Sequence, residues 1–225
     1  MIHLRAVEKS YGRKPVLRGV DLDLPAGEVT GLVGVNGAGK TTLLRCLCGL
    51  EAYDGHVDAP DDLRARLGYL PTAPPFPSYV TGREYLRLCL RARRLPVPDL
   101  DAANAFALPL DEYAATYSTG MAKKLAFTAL MLQRNDVLVL DEPFNGVDLA
   151  GNLVLTAAVR RLRERGACVL VTSHLLETLT GLCDRVAVLG GGVVTGVFGA
   201  GAYDKLGGAL GRSDVEGALA RWGMG

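Results

Sequence analysis

The chain has 225 residues, and 25 lysines and arginines against 24 aspartates and glutamates leave a formal charge of +1. That balance excludes a global field drawing in DNA, RNA or an anionic membrane, so any anion site must be local. Glycine at 28 and proline at 11 stay below low-complexity levels, and the chain is long enough to bury a sizeable core.

Residues 1–10 mix charges into their apolar positions and lack the hydrophobic centre of a signal peptide. Alternation over 2–7 and 16–24 predicts antiparallel strands, whereas 29–33 is a nearly continuous apolar run before glycines and suits a buried strand. A helix is expected to open near Gly39. Prolines 71, 74, 75 and 77 then begin a stretch, 72–135, with helix-like patterns and no convincing strand, in which Thr81 and Glu84 form a possible capping box. Arg83, Arg87, Arg91 and Arg94 recur there as a basic stripe, ordinarily a solvated face and alternatively one that meets acidic residues or lipid headgroups.

Apolar runs at 137–140, 168–171 and 185–189 resume the strand pattern, and Leu155, Ala158, Val159 and Leu162 recur at helical spacing between the first two. The uncharged run 186–203 has the length of a membrane span, but six glycines break it into a strand, a turn at 190–192 and a second strand. Ser213 and Glu216 form a second possible capping box, with Val215, Leu219 and Trp222 as an apolar stripe. The expected fold is α/β: a mainly parallel sheet core from 1–71 and 136–225, N-terminal antiparallel strands, and a helical insertion over 72–135. No internal repeat is present, so 1–225 reads as one domain. Five cysteines (46, 48, 89, 168 and 183), odd in number and without a CxxC pair, read as buried thiols of a reducing compartment rather than metal ligands.

The segment Gly34-Val35-Asn36-Gly37-Ala38-Gly39-Lys40-Thr41 matches GxxxxGK[ST] at every fixed position, between an expected strand and an expected helix. Glycines let successive N–H groups turn inward, the helix N-terminus adds partial positive charge and Lys40 adds a full one, which together neutralise a polyphosphate. Thr41 offers a hydroxyl to Mg²⁺, and Thr42 follows in the same first turn. Residues 137–142 are an apolar strand ending in Asp141 and Glu142, which brings acids to a sheet edge where ligands bind. Asp141 suits Mg²⁺, and Glu142 suits orienting or deprotonating an attacking water. No [NT]KxD segment is present, which disfavours guanine recognition.

At this point the chain resembles the ATP-binding cassette family over roughly residues 2–199. Tyr117-Ser118-Thr119-Gly120-Met121, followed by Ala122-Lys123-Lys124-Leu125-Ala126, resembles that family's signature motif. Phe144-Asn145-Gly146-Val147-Asp148 and Thr172-Ser173-His174 complete the pattern. The resemblance implies a P-loop NTPase that binds ATP and Mg²⁺. Two cassettes, in a homodimer or heterodimer, would pair head to tail so that Ser118 and Gly120 of one touch the γ-phosphate held by the other. It also implies that His174 donates a hydrogen bond to that phosphate, that adenine stacks on Tyr11, and that Asn145 and Asp148 lie on the loop crossing the interface. Lys40, Glu142 and His174 are then the catalytic residues, with Gly34, Asn36, Gly37, Ala38 and Gly39 around the phosphates.

Thr72 stands where the family usually has a glutamine reaching toward Mg²⁺, and the chain's one glutamine, Gln133, is far along the signature helix. A shorter hydroxyl there implies a bridging water or looser coupling to the partner. Thr119 and Met121 replace the signature's usual glycine and glutamine. Runs at 68–71, 81–86 and 117–121 most resemble the branch serving exporters of drugs, antibiotics or lipids. The expectation is therefore a cytoplasmic ATPase subunit, peripheral at the inner face of the membrane through a transmembrane permease subunit, with no nucleic-acid partner. A soluble relative acting on nucleic acid would carry a coiled-coil insertion or tandem cassettes, and a P-loop kinase would leave the signature segment unexplained.

Overall fold

A computed structural model describes residues 1–173 and 176–206 of the chain. His174 and the stripe around Ser213, Glu216 and Trp222 lie outside the described residues.

The strands β1 (Ile2–Tyr11) and β2 (Lys14–Leu24) form an antiparallel pair. Period-two alternation turns Ile2 and Leu4 of β1 and Val20, Leu22 and Leu24 of β2 inward, and the register shifts between Leu4 and Val7 and on to Glu8 let Val7 and Leu17 be buried with them. The strand β3 (Val29–Val33) is buried along its whole length and leads into the helix α1 (Lys40–Leu47). Next come β4 (Asp54–Asp58), one helical turn α2 (Leu63–Arg66) and β5 (Leu67–Leu70). Two helices follow, α3 (Gly82–Ala92) and α4 (Thr119–Leu132). The chain then alternates through β6 (Val137–Leu140), α5 (Leu149–Glu164), β7 (Cys168–Thr172), α6 (Leu176–Thr180), β8 (Arg185–Gly190) and β9 (Val193–Gly199).

Two sheets result, a three-stranded one ordered β2-β1-β4 and a six-stranded one ordered β5-β6-β7-β3-β8-β9. The larger is parallel except for the β8–β9 hairpin. Gly191 and Gly192 both take positive φ in that hairpin's turn, as a two-residue turn matching strand twist requires. Register brings Leu70, Leu140 and Val171 level, and sets Thr172 beside Leu32. The segments leaving β3, β5, β6 and β7 therefore emerge along one edge, which is where an open parallel sheet places ligands.

Alternation also divides the core between the faces of this sheet. Leu138 and Leu140 pack with Phe127 of α4 and Leu155 and Val159 of α5. Val139 points the other way, to Leu43, Leu44 and Leu47 of α1 and the inner face of the small sheet. A third cluster joins Leu86 and Leu90 of α3 to Leu100, Leu108 and Leu110 and to Leu125 and Ala129 of α4. The helix α4 thus serves two clusters and is apolar around most of its circumference.

The sequence reading missed two strands and overstated the helices. The strand β4 is polar and almost entirely exposed, so no hydrophobic pattern marks it; backbone pairing with β1 makes it a strand. Between α3 and α4 the described chain has turns and one short 3₁₀ segment (Ala114–Thr116) rather than more α-helix, because Pro96, Pro98 and Pro109 interrupt it. The arginine stripe is also broken. Arg94 lies beyond α3 with φ of 54°, and Arg83 is held by Asp101 at 2.9 Å and Asp111 at 2.7 Å. Three of the five thiols, Cys46, Cys168 and Cys183, are buried and Cys48 and Cys89 are partly covered; burial pushes Cys48 and Cys183 up to about 12, far from a reactive thiolate. Among the described residues no helix is long and apolar enough to cross a membrane.

Candidate active site

The loop between β3 and α1 is shaped by its glycines. A Cβ on Gly34 would sit 2.3 Å from the Leu189 carbonyl oxygen of β8, so only glycine lets the loop pass so close. Gly39 caps α1 with φ of 105°, and no side chain takes the N–H groups of the first turn. That turn also contains no acidic residue. An anion placed there meets free donors and the positive end of the helix. Lys40 folds back over the loop, its Nζ donating to the Gly34 carbonyl at 2.7 Å and lying 3.4 Å from that of Val35.

Opposite the loop, Asp141 follows β6 and is 1% exposed. Its carboxylate collects three hydroxyls. Thr41 and Thr72 donate to Oδ2 at 2.9 and 2.8 Å, and Thr172 donates to Oδ1 at 2.8 Å. The Thr172 hydroxyl in turn accepts from the Glu142 N–H at 2.9 Å, and the Asp141 N–H donates to Leu70 at 2.8 Å. Four strands of the parallel sheet thus contribute to one polar knot at their shared edge. Glu142, next in line, is buried and holds φ of 53°, a left-handed conformation that costs a non-glycine residue about 1–2 kcal/mol.

These groups enclose a cleft of about 420 Å³ lined by Val16, Asn36, Gly37, Gly39, Lys40, Thr41, Thr42, Thr72, Asp141 and Glu142. Its oxygen donors come from the carboxylates of Asp141 and Glu142 and the hydroxyls of Thr41, Thr42 and Thr72, with Lys40 and helix N–H groups for phosphate. That set suits Mg²⁺, which binds through a carboxylate and a hydroxyl together with substrate phosphates. Among the described residues no cluster of three or more histidine, cysteine or acidic side chains offers a metal a site of its own.

The remaining expected residues fall into four groups. Gly34 and Ala38 shape the loop from behind, Ala38 donating its N–H to Val35 at 3.1 Å. Tyr11, 45% exposed, is not among the residues lining the cleft and has the Lys9 ammonium 5.1 Å from its ring centre; from this region Val16 lines the cleft. Ser118 is the exposed N-cap of α4, accepting from the Met121 N–H at 3.3 Å, and neither it nor Gly120 lines the cleft of its own chain. Gly120 is buried against the loop after Glu142, where a Cβ would meet the Gly146 carbonyl oxygen at 2.4 Å. Asp148 caps α5 by accepting from the Gly151 N–H at 2.7 Å and pairs with Lys124 at 2.7 Å, which holds its carboxyl below the usual range.

One contributor escapes sequence reasoning. Lys123 is 1% exposed and reaches under the loop that carries Glu142, touching two of its carbonyls. A lysine in a helix ordinarily points to solvent, and no spacing signals otherwise. Glu142 also borders a second cavity of about 430 Å³, with Phe144, Asn145, Leu153 and Ser173 among its walls.

The family model described as "ABC transporter" matches residues 17–145. The Nod factor export ATP-binding protein I of Rhizobium meliloti is 33% identical over 207 residues, 85% of this chain and 62% of that protein. The chain spans 66% of the length of the ABC transporter ATP-binding protein YdbJ of Bacillus subtilis and 12% of that of the phospholipid-transporting ATPase ABCA3 of Rattus norvegicus. Among solved structures, an ATP-binding subunit of an ABC transporter superposes with a TM-score of 0.80 at 26% identity, over 96% of this chain and 97% of that one. A dimeric ATP-binding cassette in a post-hydrolysis state with ADP and Pi shares the fold, with a TM-score of 0.78 at 21% identity over 89% of this chain and 99% of that one.

Proposed function

The chain belongs to the ABC transporter family, and from that premise we propose that it is the ATP-binding and hydrolysing subunit of a membrane transporter. The observation that carries this reading is the single cleft in which Lys40, Thr41, Asp141 and Glu142 converge. Each has one job there. Lys40 and the N-terminus of α1 neutralise the β- and γ-phosphates, and Thr41 with Asp141 holds the cation. Mg²⁺, when bound, supplies charge neutralisation across the phosphate oxygens. Glu142 sits where the next carboxylate along the chain can align a water for in-line attack and accept its proton. Thr72 lines the cleft with its hydroxyl committed to Asp141, so its effect on the cation passes through that carboxylate.

Two copies close on two ATP molecules. Ser118 stands at an exposed helix start away from its own chain's phosphate loop, which leaves its donors available to a nucleotide held by a second cassette. His174, in the notation of the family motif, adds a hydrogen bond to the γ-phosphate. Hydrolysis removes the group that both halves grip, and the pair opens. A transmembrane permease subunit receives that motion at the inner face of the membrane. Export is the direction favoured by the likeness to a Nod factor export protein and by the segments at 68–71, 81–86 and 117–121.

Glu142→Gln tests this reading. The variant keeps the shape of the side chain but removes its charge and basicity, so it should bind Mg-ATP normally, lose at least about a hundredfold in turnover, and elute as an ATP-bound dimer. Unchanged steady-state hydrolysis would remove Glu142 from this role.

A further inference from the structure

Lys123 lies within the second turn of α4, and its Nζ donates to the carbonyl oxygens of Glu142 at 2.5 Å and Asn145 at 2.8 Å. Among the described residues its hydrogen bonds go to carbonyls and to no carboxylate. Burial disfavours the ammonium and lowers its pKa, with the nearby charges of Glu142 and Asp141 acting in the opposite sense. A lysine present only to fill this space would be better replaced by methionine, since an apolar side chain of similar volume avoids desolvating a charge. What the charge secures is the backbone it touches.

That backbone is a strained turn. Glu142 occupies the left-handed region, and its carbonyl also accepts from the Asn145 N–H at 3.3 Å, closing the turn. The amide of Glu142 is already fixed by Thr172 and that of Asp141 by Leu70. On the carbonyl side the Asn145 N–H makes one long contact, and Lys123 binds the carbonyls of both Glu142 and Asn145. At the start of α4, Gly120 leaves room for the far end of the same loop, where a Cβ would meet the Gly146 carbonyl oxygen.

We propose that Lys123 is a positioning residue, whose buried ammonium holds the left-handed bend at Glu142 and thereby aims that carboxylate into the cleft. The proposal rests on the role given to Glu142 above. It requires loss of Lys123 to slow the chemical step while leaving nucleotide binding alone, because Lys40, Thr41 and Asp141 keep their own contacts.

The test compares Lys123→Met and Lys123→Arg in the full chain. Turnover, KM for ATP, affinity for a fluorescent ATP analogue with Mg²⁺, and Tm are measured for each. The methionine variant should lose about tenfold or more in kcat with KM and analogue affinity within about threefold of the parent, and arginine should recover most of the loss. In a Glu142→Gln background, Lys123→Met should cost nothing further, since the group it aims is already disabled. Parental kcat in the methionine variant overturns the proposal, as does a fall in kcat matched by equal falls in affinity and Tm. If the methionine variant does not fold, Lys123→Gln, which is shorter and carries no charge, carries the same comparison and the same outcomes. Should Glu142→Gln itself leave turnover unchanged, the role of Glu142 fails; should it abolish turnover while Lys123→Met does not lower it, only the positioning role fails.

Discussion

Thr72 and Thr41 donate to the same carboxylate oxygen, Oδ2 of Asp141, at 2.8 and 2.9 Å. A hydroxyl one bond from Cβ reaches no further than this carboxylate, whereas glutamine carries its amide two bonds farther out and would extend into the cleft beside it. Thr72→Gln should therefore preserve or raise Mg-dependent hydrolysis, and Thr72→Ala, which strips one hydrogen bond from Asp141 and leaves two, should lower it only severalfold; an ATPase assay titrated with Mg²⁺ reads both. Collapse of activity in Thr72→Gln would mean that the contact with Asp141, rather than reach, is what position 72 supplies. Residues of this kind were legible because their chemistry is tied to spacing: Lys40, Thr41, Asp141 and Glu142 were all identifiable from the sequence, and they meet in one cleft. Lys123 was illegible because its role depends on which way a helix faces. The hydroxyl of Thr172 was visible only as part of a strand end, with nothing to say that it would bridge Asp141 and the amide of Glu142.

The helix α3 begins with a reciprocal cap. The Thr81 side chain accepts from the Glu84 N–H, and the Glu84 carboxylate accepts from the Thr81 N–H at 2.9 Å. Thr81 also bridges to Tyr113, so the cap pins the start of α3 to the segment that leads into α4. Thr81→Ala should cost about 1 kcal/mol, which for a chain of this size lowers Tm by about 2–4 °C in a thermal melt, while Thr81→Ser should sit near the parent. An unchanged Tm would show that this helix is held by its apolar face alone. The cap could be read from a four-residue pattern because both partners lie within it. The parallel strands were readable for a related reason: burial on both faces writes a continuous apolar run, as in Val29–Val33 and Cys168–Thr172. No such record exists for β4, whose pairing to β1 is made by backbone groups, or for the four-residue β5, whose Gly68 and half-buried Tyr69 mimic a turn.

At the scale of the whole molecule, Ser118 and Gly120 at the start of α4 do not line the cleft of their own chain, and the function proposed above completes the site between two copies. That arrangement predicts complementation between two inactive variants. Lys40→Ala removes the phosphate-binding ammonium. Ser118→Asp keeps an N-cap of equal quality on α4, so folding is preserved, but places a carboxylate where the γ-phosphate of the second copy's ATP would lie. Each variant alone should hydrolyse ATP at a small fraction of the parental rate. In an equal mixture about half of the dimers pair unlike chains, and each such dimer joins the intact phosphate loop of the Ser118→Asp chain to the intact signature helix of the Lys40→Ala chain. One site in two is then whole, so about a quarter of the parental activity should return on mixing if the sites turn over independently. Recovery should depend on total protein concentration and saturate where light scattering shows dimer. Full activity of Ser118→Asp alone, or a mixture no better than the mean of its parts at dimer-forming concentrations, would place the entire site within a single chain.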